Sequence, residues 1–95
     1  MKVYNTFIFD SYITIGVKMN YITLDKIDFN EKYIIIDVLL DKNIRQRMYD
    51  FGVIENSIIE ALYKSPFKDP TAYLVKETII AIRNEDASKI IVRRI

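Results

Sequence analysis

The run Ile44-Arg45-Gln46-Arg47-Met48-Tyr49-Asp50-Phe51-Gly52 is the one stretch of this sequence with a sustained helical repeat. Ile44, Met48 and Phe51 recur at spacings of four and three, which puts them on one face of a short helix. Asp41 or Asn43 can cap its start, because a short polar side chain can accept a bond from a free backbone amide. Gly52 can supply the left-handed residue that ends it. The other apolar segments read as short strands: residues 33–40 before the helix, then 57–63, 71–76, 78–83 and 89–95 after it. A one-sided helix between a first strand and a string of others predicts a mainly β fold, a small barrel whose open side the helix plugs.

At 95 residues the chain makes one domain, and it can bury only about 60–65% of its unfolded surface. A hydrophobic content of 51% is generous for a core of that size. Some apolar surface should therefore be left over, and such surface usually marks a contact. The 14 basic and 13 acidic residues are well mixed and leave a formal net charge of +1. That balance carries no electrostatic footprint for nucleic acid or for an acidic membrane surface.

Cysteine and histidine are both absent. Their absence removes thiolate metal sites, the usual zinc ligands and every Ser/His or Cys/His nucleophile pair. A metal would have only carboxylates, carbonyls and water. Asp25 and Asp28 lie three residues apart, but without a glycine-bearing loop they read as surface acids. Gly16 and Gly52 are the only glycines, so no glycine-rich phosphate loop exists. No catalytic, cofactor-binding or metal-binding residue emerges, and an enzyme is not expected.

Residues 1–20 are interrupted by Asn5, Thr6, Asp10 and Ser11, too polar for a secretory signal or a membrane span. They form either an added hairpin, with strands at 3–9 and 12–17 around Asp10-Ser11, or an N-terminal extension. Thr23 can cap a turn that points Leu24 and Ile27 the same way, and Asn30-Glu31 reads as a turn. The clearest loop is Ser65-Pro66-Phe67-Lys68-Asp69-Pro70, whose prolines cannot donate to a sheet. Asn84 is placed to cap a single turn holding Glu85 and Asp86.

The segments 71–76 and 78–83 form a tight pair about Glu77. Strand alternation puts Tyr73, Val75, Ile80 and Ile82 on one face and Ala72, Leu74, Ile79 and Ala81 on the other. The barrel can use only one of them. The expected core is Ile34 or Ile35, Val38, Met48, Phe51, Ile58, Tyr73, Val75, Ile80 and Ile82. Ala72, Leu74, Ile79 and Ala81 would then make an outer apolar patch, which residues 1–20 could cover or which a partner or a second copy could dock. Arg45 and Arg47 are a second candidate contact, since guanidinium groups suit phosphate or carboxylate. A plain solvated helix face fits their spacing equally well.

Residues 21–95 resemble the FeoA family, small accessory proteins of bacterial ferrous iron uptake. Three motifs carry the resemblance. Ile44 to Gly52 is similar to the family's apolar–Arg–x–Arg–Leu–x–(Asp/Glu)–apolar–Gly helix. Ser65 to Pro70 is similar to its Ala-Pro-Leu-Gly-Asp-Pro loop. Ile80-Ala81-Ile82-Arg83-Asn84-Glu85-Asp86-Ala87 is similar to its Leu-Ala-Leu-Arg-x-x-(Glu/Asp)-Ala end. The resemblance implies an SH3-like barrel with the helix between the first and second barrel strands. It also implies a cytoplasmic location at the inner face of the membrane and a partner in the FeoB transporter, with its GTP-binding domain, and no iron cargo of its own. The alternative is a regulatory module akin to the terminal domain of DtxR-type iron-dependent repressors, without DNA-reading helices. Met19 would suit the family's start. Family glycine turns are replaced here by Asn30-Glu31, Asn56-Ser57, Lys68 and Glu77, which should strain those turns.

Overall fold

A computed structural model describes residues 20–95. The expected hairpin or extension over residues 1–20 lies, but for Asn20, outside the described residues. Six strands form one antiparallel sheet in the order β1-β6-β2-β3-β4-β5. The strands are β1 (Tyr21–Thr23), β2 (Lys32–Val38), β3 (Ile58–Lys64), β4 (Thr71–Val75), β5 (Thr78–Ile82) and β6 (Ile90–Arg94). Helix α1 (Lys42–Asp50) follows β2 and precedes β3, and a single helical turn α2 (Asn84–Ala87) follows β5. A 3-10 turn, Leu24–Lys26, buries Leu24 directly after β1. Thr23 and Asp41 stand at the two expected starts, but neither makes a side-chain capping bond.

The strand pairings correct the expectation of a closed barrel. Among the described residues the sheet is open, with β1 and β5 as its two edges. The helix does not plug it with buried side chains either: none of the residues of α1 is fully buried, and Ile44, Met48 and Tyr49 pack half-buried against the core.

The core follows strand parity. Tyr33 and Ile35 on β2, Ile59 and Ala61 on β3, Tyr73 and Val75 on β4, Ile82 on β5 and Val92 on β6 all point inward and are buried. Of the expected set, Ile35, Val38, Tyr73, Val75 and Ile82 are buried, and Ile80 is half-buried at the sheet's edge. Ile58 is not: it is 49% exposed, because it shares a face with Glu60, and Ile59 takes the inward position instead. A one-residue slip of parity exchanges the two faces of a strand.

Phe51 is also outside, at 55% exposure. The helix ends before it. Gly52 N–H donates to Tyr49 O at 2.9 Å, Val53 N–H donates to Met48 O at 2.8 Å, and Gly52 has φ +95. This is the left-handed termination that glycine permits. The chain reverses there and drives Val53, not Phe51, into the core, where Val53 is fully buried.

Candidate partner-binding surface

The two arginines of α1 do not act together. Arg45 lines an open cleft of about 620 Å³ between α1 and the end of β2, with Asp37, Leu39, Tyr49 and Glu55. Arg47 lines a different cleft, with Asp41, Arg83, Glu85, Asp86 and Lys89. In the Arg45 cleft the Tyr49 hydroxyl donates to Glu55 Oε2 at 2.9 Å. Burial, and then the bond to Glu55, push the Tyr49 phenol above its ordinary range. Asp37 is buried at 5% exposure, and its Oδ1 accepts the Val38 amide at 2.9 Å. The strand changes register between Ile35 and Asp37, a bulge that goes with this buried acid. The Arg47 cleft holds three cations and three anions, so it offers no net charge to an ion.

The β4–β5 hairpin sets the second candidate surface. Tyr73 pairs with Ile80 and Thr71 with Ile82 on the inner face, while Ala72 pairs with Ala81 and Leu74 with Ile79 on the outer. Cross-strand partners share a face, so the four outer residues are neighbours. Their exposure is uneven. Ile79 is 58% exposed and Ala81 is exposed, whereas Leu74 is half-buried and Ala72 is 8% exposed. On the inner face, burial pushes the Tyr73 phenol up to about 12, and its hydroxyl reaches Leu24 O at 3.4 Å.

The acids weighed as a cation pair separate. Asp28 is taken by Arg94, which also donates to the Tyr33 hydroxyl at 2.9 Å and lies 3.5 Å from Glu31. The Arg94 guanidinium stands over the Tyr33 ring, 5.3 Å from its centre. The bonds to Tyr33 and Asp28 raise the Arg94 pKa. Among the described residues no three acidic, His or Cys side chains converge as a metal would need. No helix among them is long and apolar enough to cross a membrane.

Sequence reasoning passed over the Asp37–Tyr49–Glu55 cleft. Its one signal was Asp37, the only charged residue in the apolar segment 33–40. A second correction concerns α2. Asn84 is its first helical residue, not its cap, and Asp69 Oδ1 accepts the Asn84 amide at 2.9 Å from across the loop.

A model of the FeoA domain matches residues 22–94. The chain belongs to the FeoA domain family. No curated protein matches it by sequence. Among solved structures, the FeoA protein of Chlorobium tepidum superposes with a TM-score of 0.74 at 19% identity, covering 78% of this chain and 70% of that one. FeoA of Stenotrophomonas maltophilia, solved with zinc and described as an SH3-domain protein, gives 0.65 at 23% identity, covering 75% and 88%. IdeR of T. acidophilum gives 0.68 at 20% identity, covering 79% of this chain and 34% of IdeR. These likenesses show the fold: a mainly β, SH3-like domain.

Proposed function

We propose that this FeoA domain is a non-enzymatic accessory protein of ferrous iron import. It acts in the cytoplasm, at the inner face of the membrane, by binding the cytoplasmic GTP-binding part of a FeoB-type transporter. The family match over residues 22–94 carries the reading. In this reading Arg45 and Arg47 present cations from two sides of α1, and Ala72, Leu74, Ile79 and Ala81 present an apolar contact. The protein regulates or assembles its partner and does not carry iron, since selective iron sites draw on His or Cys and this chain has neither. Membrane association comes through the partner, and nucleic acid plays no part.

The test is retention of the full chain by the transporter's GTP-binding domain, together with calorimetry of the chain against ferrous ion. Replacing Leu74 and Ile79 by Ser, or Arg45 by Ala, should weaken retention while circular dichroism stays unchanged. Stoichiometric, tight iron binding would refute the non-carrier role.

The likeness to IdeR and to a manganese-dependent transcriptional repressor supports a second reading, a regulatory module without its own DNA-reading helices. In that case the chain would be retained by a repressor or one of its domains and not by the transporter.

A further inference from the structure

We infer that a second copy of this chain pairs with the β5 edge, antiparallel and in one register centred on Ile80. Among the described residues β5 has a neighbour on one side only, β4. Natural edge strands are usually blunted by charge, proline or a bulge. This one is Thr78-Ile79-Ile80-Ala81-Ile82, uncharged throughout and in unbroken register with β4.

The hairpin decides which backbone groups the edge offers. The turn has two central residues, Lys76 and Glu77, both at positive φ, so the flanking pair Val75–Thr78 exchanges hydrogen bonds. Antiparallel pairs alternate between bonded and non-bonded. Along β5 the N–H and C=O groups of Ile79 and Ala81 are therefore the ones turned away from β4. A second β5 must meet those residues with the same residues of its own.

Only a few two-fold registers do so, and charge separates them. Centring the axis on Ile80 sets Ile79 opposite Ala81 of the other copy, twice, and brings Glu77 beside Arg83. Both of these charged residues are exposed. Arg83 keeps an extended backbone, φ −66 and ψ 146, so the strand direction continues through it. Centring on Ile79 sets Glu77 against Ala81, and centring on Ala81 sets Ile79 against Arg83 and carries Glu77 past the strand to the start of α2. Of the three registers, counting no residue past Arg83, where the extended backbone ends, the Ile80 register alone makes an opposite-charge pair, and symmetry makes it twice. It also places Ile80, half-buried at the rim of the core, against its own copy. One strand pair buries little area, so the dimer is weak and depends on concentration.

Sedimentation equilibrium of the full chain across a concentration series reads this directly. A mass rising from 11.2 kDa towards twice that value is expected. Glu77→Lys and Arg83→Glu should each weaken association about tenfold, and the double exchange should restore it. Ala81→Pro should abolish the dimer, because it removes an outward-facing amide without touching the β4 ladder. A chain that stays monomeric throughout, with the edge left open or taken by residues 1–19, overturns the inference. So does a dimer that ignores all three single substitutions, or a double exchange that fails to restore what each single lost.

Discussion

The β4–β5 hairpin ends differently at its two extremities. At the open end, the loop between Lys64 and Thr71 is bound into the rest of the molecule. Ser65 N–H donates to Pro70 O at 3.0 Å, Lys68 N–H to Ser65 O at 2.8 Å, and the Asp69 amide to Ser65 Oγ at 3.2 Å. Asp69 then caps Asn84, and Asn84 Nδ2 returns a bond to Lys68 O at 3.3 Å. At the closed end the chain turns through Lys76 and Glu77, at φ 48 and 65, where no side-chain hydrogen bond among the described residues holds it. Its support is a packing contact. The stem of Lys76 lies over Gly52, so close that a Cβ on Gly52 would stand 3.0 Å from Lys76 Cδ. Both ends carry strained non-glycine residues, Lys68 at one and Lys76 and Glu77 at the other. One end offsets the strain with polar bonds, the other with contact to the end of α1.

The sharpest way to break the closed end is Gly52→Ala. At φ +95 an L side chain is strained by about 1–2 kcal/mol, and the new methyl must also displace the Lys76 stem. A loss of about 2 kcal/mol in denaturant unfolding is expected. A loss under about 0.5 kcal/mol would mean that residue 52 takes a side chain at this φ without strain and that the Lys76 stem moves aside freely.

The open end breaks through Asp69. Asp69→Ala removes the acceptor for the Asn84 amide, and loss of a helix cap costs about 1 kcal/mol. Hydrogen exchange at residues 84–87 should rise, while exchange at Thr78 and Ile80, whose amides face β4 towards the far end of the hairpin, should not. Equal acceleration at both ends would show that the hairpin opens as one unit and that the contrast between its ends has no energetic meaning.

This contrast explains what the sequence could and could not say. The helix and its stop were legible because spacing and Gly52 are local signals. So were the strained turns: Asn30, Asn56, Lys68 and Glu77 all adopt positive φ at or beside the positions where the family resemblance called for glycine. Lys76 carries no such signal: a two-residue reversal needs two left-handed residues, and the family resemblance places a glycine only at Glu77. The inner face of the hairpin followed from alternation. Ile58 and Ile59 could not be told apart, because both neighbours are isoleucine and only tertiary pairing sets the parity. The cap supplied by Asp69 was invisible for a related reason: donor and acceptor stand 15 residues apart. The two arginines shared a helix in sequence, yet their positions around α1 send them into separate clefts.

The smallest effects come from relieving strain. A left-handed conformation costs an ordinary residue about 1–2 kcal/mol, while glycine's extra unfolded-state freedom costs about 0.5–1 kcal/mol. Glu77→Gly should therefore gain about 0.5 kcal/mol, and Lys68→Gly about the same, since the bonds at Lys68 are made by its backbone. Lys76→Gly relieves the same kind of strain but also deletes the stem that lies over Gly52, so its net change should be near zero. Chemical denaturation at a concentration low enough to keep the chain monomeric separates the three. If Lys76→Gly gains as much as Glu77→Gly, the Lys76 stem contributes nothing and the closed end is held by its strand pairing alone.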